Sequence, residues 1–477
     1  MNTMKRIWDA SLLGRGLDRL CAWMGRQWRG SGVIGWFLYK ADRGAEISRS
    51  SIFYKVWSFV LALLTKLYDA LHLEKLFDGS VFTQTFLWCA LAVFVTPILP
   101  TMAVLALVCL CLGFGLLGLA ADRDASLTPA PLNVHIALYA GVIFWSTATS
   151  VNLRGSLLPG MLAVAFVLFF YGVTSCGMEK HLNRVLWLLL AAGVGVSLYG
   201  FYQACFPERY SDVWTDTDLF SAITFRVYST LANPNVLGEY LLLMIPIACS
   251  MLFSADSRKE RILCLLAAGI MGVCLILTYS RGCYLGLLFA AAVFLVLLDR
   301  RFLFLGILAV ALCPLYLPDS VINRFASIGN MADSSTSYRV RIWLGSLAML
   351  KDFGFSGVGF GSEAFNTIYP SYAMHSVSAQ HAHNLYLQIL CDSGIVGLLV
   401  FLGLLVSFCR MMLTAIRHEQ NARARILQIG GISAVGGFLV QSLTDYTFYN
   451  YRVMLLFFGM LGLCVLFTRM GSQEARV

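Results

Sequence analysis

The stretch Gln380–Cys409, "QHAHNLYLQILCDSGIVGLLVFLGLLVSFC", joins two unlike pieces of chain. A polar head with two histidines runs into a segment that is apolar almost to its end. An apolar run of about 17–25 residues is long enough to cross a bilayer as a helix. Such runs recur along most of the sequence. The chain has 477 residues, of which 58% are hydrophobic and 13% charged, with a mean hydropathy of +0.74. A soluble globular protein of that length cannot bury so much apolar surface. The fold class is therefore all-α, a polytopic membrane protein. The first 50 residues are basic and hold no apolar stretch ending in a small-residue cleavage site. The first spanning helix is thus expected to serve as the insertion signal.

Working outward from that stretch, the apolar runs predict about twelve transmembrane helices: 83–99, 102–121, 132–150, 157–176, 184–205, 236–253, 262–279, 282–299, 302–318, 384–409, 424–443 and 451–468. Two connections are long, 206–235 and 319–383, and the second is a large loop between the ninth and tenth spans. With the amino terminus in the cytoplasm, 26 of the 35 Lys and Arg residues fall on the inner side. That bias is what topology requires of inner loops, and it puts both termini inside. Nine basic residues fall outside: Arg154, Arg209, Arg226, Arg281, Arg324, Arg339, Arg341, Lys351 and Arg452. Topogenic charge does not account for these, so some of them need a chemical reason.

The chain divides into a basic region 1–80, a membrane domain 81–470 and a short tail 471–477. The first region carries twelve basic and seven acidic residues. Within it, Ser51–Phe77 is too charged for a plain span. Ile52, Trp57, Val60, Leu64, Leu67 and Leu71 recur at helical spacing, which predicts an amphipathic helix on the inner membrane surface. A re-entrant or additional spanning helix is the other reading. The fourteen cysteines are scattered, mostly in apolar runs and without a CxxC pair. They read as small packing residues, with a Cys205–Cys283 disulfide as an open alternative.

The outer exceptions sit in distinctive contexts. Arg281 lies in "LTYSRGCYLG", a reversal between spans where an arginine is costly unless paired or functional; snorkelling at a helix end is the plainer account. Arg226 lies in "FRVYSTLANPNVLGEY", whose Asn233-Pro234-Asn235 reads as a turn leading into a capped helix. Arg339 and Arg341 lie in "SSTSYRVRIWLGSLAML", an outer helix of about 14 residues. "DFGFSGVGFGSEAF" has the glycine content of a phosphate loop but neither of its fingerprints, so a flexible turn is the plainer reading. His381 and His383 form an HxH that is loosely compatible with a metal, although no metal site is expected. The acidic pair Asp216 and Asp218 reads mainly as a solvated loop. Together these residues supply bidentate, permanently charged guanidinium groups suited to pyrophosphate and a histidine able to act as general base. That set fits group transfer from a phosphorylated lipid on one face of the membrane.

The same residues in order, "FRVYSTLANPN", "TYSRG", "SYRVRIW" with "GVGFGSEAF", "HAHNLYLQILCDSGIVGLL" and the late "TDYTFYNYR", resemble the O-antigen ligase and polymerase family of integral membrane glycosyltransferases. The resemblance covers roughly 80–470 and is densest over 264–402. It implies an undecaprenyl-pyrophosphate-linked saccharide donor and a glycan, lipid or protein acceptor. It further implies metal-independent, inverting transfer on the outer face of a bacterial plasma membrane, with no cofactor and no nucleic-acid partner. His383 falls where the family's catalytic histidine falls, directly before Asn384, which is carried with it as a substrate-binding position. Arg226 and Arg281 match arginines expected to hold the pyrophosphate, and Arg339, with Arg341 as alternative, matches the next. Asp392 replaces a more usual glutamate, an exchange expected to be structural. The region 1–80 lies outside the family pattern and suits a docking role in an envelope-synthesis complex. A secondary transporter is the competing class, because twelve helices with inner termini is also a transporter layout. Transporters place ionisable groups near the midplane, whereas here they gather at one edge.

Overall fold

The computed structural model describes residues 15–474 apart from 17, 20–21, 24–25, 28–29, 41, 76–80, 122–129, 176–180, 211–222, 224, 300 and 330–333. The acidic pair Asp216 and Asp218 lies outside the described residues. No strand occurs among the described residues, and the chain is a stack of helices. In order these are α1 Gly32–Tyr39, α2 Gly44–Ser50, α3 Ile52–Ala70, α4 Val81–Val95, α5 Thr101–Ala121, α6 Asn133–Ala148, α7 Leu153–Ser175, α8 Leu182–Cys205, α9 Pro234–Ser254, α10 Arg258–Leu277, α11 Arg281–Asp299, α12 Phe302–Leu312, α13 Asp319–Ala326, α14 Ser334–Phe353, α15 Ser362–Ile368, α16 Leu385–His418, α17 Ala422–Gln441 and α18 Tyr451–Glu474.

Each of the twelve expected spans corresponds to one of these helices. Among the described residues nine are long and apolar enough to cross a membrane individually. The remaining three, α4, α6 and α12, have 15, 16 and 11 residues, short for a perpendicular crossing at 1.5 Å per residue. In the most apolar 18-residue stretch of α9 and of α18, 83% of the residues are buried, and in that of α17 72%, so these three form the centre. The ring around them includes α5, α10 and α11, whose apolar side chains face outward, as lipid-facing surfaces do. Where α11 crosses α17, a Cβ on Gly286 would strike the Gly437 carbonyl and the reverse also holds. Small residues there let two backbones approach closely, which substitutes for the missing hydrophobic drive between helices in lipid.

Helix α3 is capped by Ser51, whose hydroxyl accepts from Tyr54 N–H at 3.2 Å. It is bent by 56° from α2, and the pair together has the length and composition of one broken span. Phe53 and Trp57 face α5 and α7 across a cavity, while Ile52, Val56, Phe59, Leu63 and Leu67 are exposed. At helical spacing these residues share one broad apolar side, with Lys55, Ser58, Lys66 and Asp69 on the other, so α3 is amphipathic. At the far end of α16, the buried Arg410 donates to the carbonyls of Trp36 and Lys40 and lies 3.6 Å from Asp42, tying the amino-terminal region to the bundle.

The long connection 319–383 folds. Helices α13, α14 and α15 cover one end of the bundle around a small core that includes Ile342, Met349, Phe365 and Tyr369. Its glycine-rich segment is neither a flexible turn nor a phosphate cradle. Helix α16 is interrupted at Gly394, with φ 65° and ψ −168°, backbone open to glycine. The carbonyls released by the break accept from this segment, Cys391 O from Val358 N–H at 2.8 Å and Asp392 O from Gly359 N–H at 3.1 Å. The Ile395 N–H in turn donates to Gly354 O at 2.9 Å. Backbone broken within a membrane span persists when protein groups satisfy it.

Candidate active site

A cavity of about 590 Å³ opens under the α13–α15 cover. Three turns build most of it. In the first, Asn233 caps α9 by accepting from Asn235 N–H at 2.8 Å, with Pro234 at the first helical position. In the second, "TYSRG" reverses the chain between α10 and α11 with Tyr279 at φ 49°. In the third, "HAHN" ends in His383 at φ 46°, after which Asn384 caps α16 by accepting from Leu387 N–H. A non-glycine residue held in the left-handed region costs of order 1–3 kcal/mol and marks a place where the surroundings fix the backbone.

The turn holding His383 is fixed from below. The Ala382 N–H donates to Gln388 Oε1 at 2.6 Å, and Gln388 Nε2 donates to Asp392 Oδ1 at 2.7 Å. Gln388 and Asp392 are fully buried. The carboxylate that replaces the expected glutamate thus braces the break in α16 and, through Gln388, the histidine turn.

His383 Nδ1 lies 3.1 Å from Asp445 Oδ1. Asp445 sits in the short connection between α17 and α18 and also accepts from Tyr446 N–H at 2.9 Å. Its second oxygen accepts from Asn235 Nδ2 at 2.9 Å and lies 3.5 Å from an Arg339 guanidinium nitrogen. Burial alone would raise the Asp445 carboxyl. The hydrogen bond from His383 and the positive charge of Arg339 outweigh it, so the group is held well below the usual carboxylate range. With Asp445 ionised, His383 presents Nδ1–H to it, and Nε2 lies on the other side of the ring.

Four arginines line the same cavity: Arg226, Arg281, Arg324 and Arg339. Arg226 donates to Thr278 O at 2.9 Å and Asn235 Oδ1 at 3.0 Å. Arg281 donates to the Ser327 carbonyl and hydroxyl at 3.2 and 3.1 Å, and Arg324 to Tyr279 O at 3.2 Å. Backbone and neutral groups thus help to aim Arg226, Arg281 and Arg324, while Arg339 lies against the Asp445 carboxylate. Burial, then the charges of Arg324 and Arg339, push Arg226 down to about 9. It is still charged at neutral pH, and a bound anion would relieve the repulsion. Glu239, buried beneath and accepting from Gln441 at 3.3 Å, also reaches the lining.

Of the residues expected from sequence, the cavity brings together His383, Arg226, Arg281 and Arg339. Arg341, two positions along α14, is exposed and does not line it. Asn384 also lies outside the lining; its side chain caps α16 and donates to Leu443 O at 2.8 Å. Sequence reasoning missed Asp445 and Arg324 as site residues. Arg324 was visible as one of the nine outer basic residues, and Asp445 within the late "TDYTFYNYR" segment. His375 is exposed and absent from the lining. Cys205 and Cys283 are both free thiols, the first exposed and the second buried beside Asn235, so they form no disulfide.

Among the described residues, His381, His383 and Asp445, whose donor atoms lie within 4.8 Å of one another, are the group that could hold a metal ion. Arg339 beside Asp445 and the other guanidinium groups set a positive potential there, which opposes a cation and favours an anion. The arrangement can bind a pyrophosphate-like group and accept a proton next to it.

Residues 266–402 match the model of the O-antigen ligase family. This is under a third of the chain, but it spans Arg281, Arg324, Arg339 and His383. The match supports the O-antigen ligase family for this protein and a role as a membrane glycosyltransferase of ligase or polymerase type. No curated protein matches the chain.

Proposed function

We propose that the protein moves saccharide from an undecaprenyl-pyrophosphate carrier onto an acceptor hydroxyl at the outer face of a bacterial plasma membrane. The observation that carries this reading is the position of His383, with one ring nitrogen on Asp445 and the other directed away from it, in a cavity lined by four arginines. Helix α10 begins at Arg258, Lys259 and Arg261 and ends beside the cavity, and α16 begins at the cavity and ends near Arg417. The basic residues thus mark the opposite end of the bundle, which under the positive-inside rule is cytoplasmic, with both termini there.

In the proposed step the acceptor oxygen attacks the anomeric carbon, and its proton passes to His383 Nε2. The bond from that carbon to the pyrophosphate oxygen breaks, and its electron pair leaves with the carrier pyrophosphate. Attack opposite the leaving group inverts the anomeric carbon. The arginines stabilise the charge that grows on the leaving group, the work a divalent metal does in many glycosyl transfers. The Asp445 carboxylate steadies the imidazolium that forms.

The test is an assay of purified protein with an undecaprenyl-pyrophosphate oligosaccharide, with and without EDTA, beside His383→Ala. Release of carrier pyrophosphate that survives EDTA and disappears in the variant supports the reading. Release that persists in a folded His383→Ala protein would remove His383 as the base. A ladder of lengthening glycans identifies a polymerase, and a single transfer identifies a ligase.

A further inference from the structure

The side-chain contacts around the cavity form two networks that meet at His383 and Asp445. One contains the arginines. The other is aromatic. His381 packs against Tyr449 with ring centroids 4.7 Å apart, against Tyr446 at 5.5 Å and against His383 at 4.1 Å. On the other side of His383, Tyr338 meets its ring edge-on at 5.8 Å. The donor pyrophosphate of the proposed reaction accounts for the arginine network but gives the aromatic one nothing to do.

The two tyrosines at the rim are exposed yet held. Tyr338 is 39% and Tyr449 46% accessible. The Tyr338 hydroxyl donates to Ser378 O at 2.7 Å, and the Tyr449 hydroxyl to Gln380 Oε1 at 3.3 Å. Both rings are therefore fastened by their polar ends to the segment that leads into the histidine turn, and both rings and Gln380 line the cavity. Rings fixed in advance cost little entropy to use. None of Tyr338, Gln380, His381, Tyr446 and Tyr449 carries a formal charge at neutral pH, and His381 is kept neutral by burial.

We infer that this aromatic half is a subsite for an uncharged pyranose residue of the acceptor glycan. A pyranose has apolar C–H faces that stack on aromatic rings and a rim of hydroxyls that bond to amide and phenol groups. Stacked on Tyr338 or Tyr449 beside the histidine pair, such a sugar presents a hydroxyl at His383, next to the pyrophosphate held by the arginines. The inference rests on the transferase reading and adds to it the chemistry of the acceptor: a neutral sugar end, not a phosphorylated lipid core.

The test uses the full-length protein in lipid nanodiscs, titrated separately with inorganic pyrophosphate and on an array of uncharged and acidic oligosaccharides. The wild type is expected to bind a subset of the uncharged glycans. Tyr338→Ala and Tyr449→Ala are expected to weaken that binding at least tenfold, while Tyr449→Phe stays within about threefold. Pyrophosphate affinity in the tyrosine variants stays within about twofold of wild type. The subsite is overturned if both alanine variants bind glycans like the wild type, if only acidic glycans bind, or if a protein that binds pyrophosphate binds no glycan. Tyrosine-dependent glycan binding without pyrophosphate binding would keep the subsite and remove the transferase reading.

Discussion

Asp445 Oδ1 accepts a hydrogen bond from His383 Nδ1 at 3.1 Å across 62 residues of chain, and its other oxygen is shared by Asn235 and Arg339. One carboxylate thereby fixes the tautomer of the proposed base and anchors two of the turns that line the cavity.

From that pairing, Asp445→Asn is expected to lower kcat by about 10²-fold or more with little change in KM, since an amide can hold the wrong imidazole tautomer. Steady-state carrier release measured over a range of acceptor concentrations decides it. A rise in KM at constant kcat would assign Asp445 to substrate binding instead.

The arginines separate by position. Arg226→Ala and Arg339→Ala are expected to weaken inorganic pyrophosphate binding by roughly tenfold or more, the scale of a charge-assisted hydrogen bond. Arg324→Ala should behave like them, and the exposed Arg341→Ala should bind like wild type. Isothermal titration of the four variants ranks them, and an Arg341 effect equal to that of Arg339 contradicts the geometry.

The Gln388 bridge predicts an asymmetric pair of variants. Asp392→Asn keeps an oxygen for Gln388 Nε2 and should be close to neutral in thermal stability. Gln388→Leu strands the Ala382 N–H and the Asp392 carboxylate in a buried place, at a cost of about 1–3 kcal/mol for each lost partner. A lower Tm for Gln388→Leu than for Asp392→Asn, with slower turnover, is the expected outcome; equal Tm values would show that the bridge is not bracing the turn.

Stability should fall on mild acidification because of His381. Burial holds its imidazole down to about 3, whereas the unfolded chain titrates near the ordinary 6.5. Between those values the unfolded state binds the additional proton, so this contribution is intact above pH 6.5 and shrinks as pH falls toward 3. The slope is up to ~1.4 kcal/mol per pH unit. Asp445, depressed, contributes in the other window: its stabilisation is present above about pH 4 and is lost below it. Tm measured at pH 7.5 and 5.0 should drop more for wild type than for His381→Asn. Parallel drops would remove His381 as the source.

Gly394→Ala tests the break in α16. An added Cβ would meet the Phe355 carbonyl at a φ of 65° that side chains rarely adopt. A loss of several kcal/mol, or failure to accumulate in the membrane, is expected from combined backbone strain and overlap. Wild-type Tm in this variant would mean that the glycine-rich segment does not depend on the break.

Much of this molecule was determined by the sequence alone. Runs long enough to cross a bilayer, with basic residues between alternate ones, dictate a polytopic helical protein, because lipid offers no partner for an unsatisfied backbone. Arg226, Arg281 and Arg339 stood out for the same reason: charge near hydrocarbon is costly and needs an explanation. Only the tertiary structure decided that Asp445 reaches His383, that Arg324 joins the cavity while Arg341 turns away, and that the glycine-rich segment seals a broken helix. Those facts depend on which helix ends meet at one edge of the bundle and on which side of α14 each arginine emerges. Hydropathy reports how far a segment goes into the membrane, not which neighbour it meets there, so these pairings are settled by the packing of α9, α11, α16 and α17 against one another.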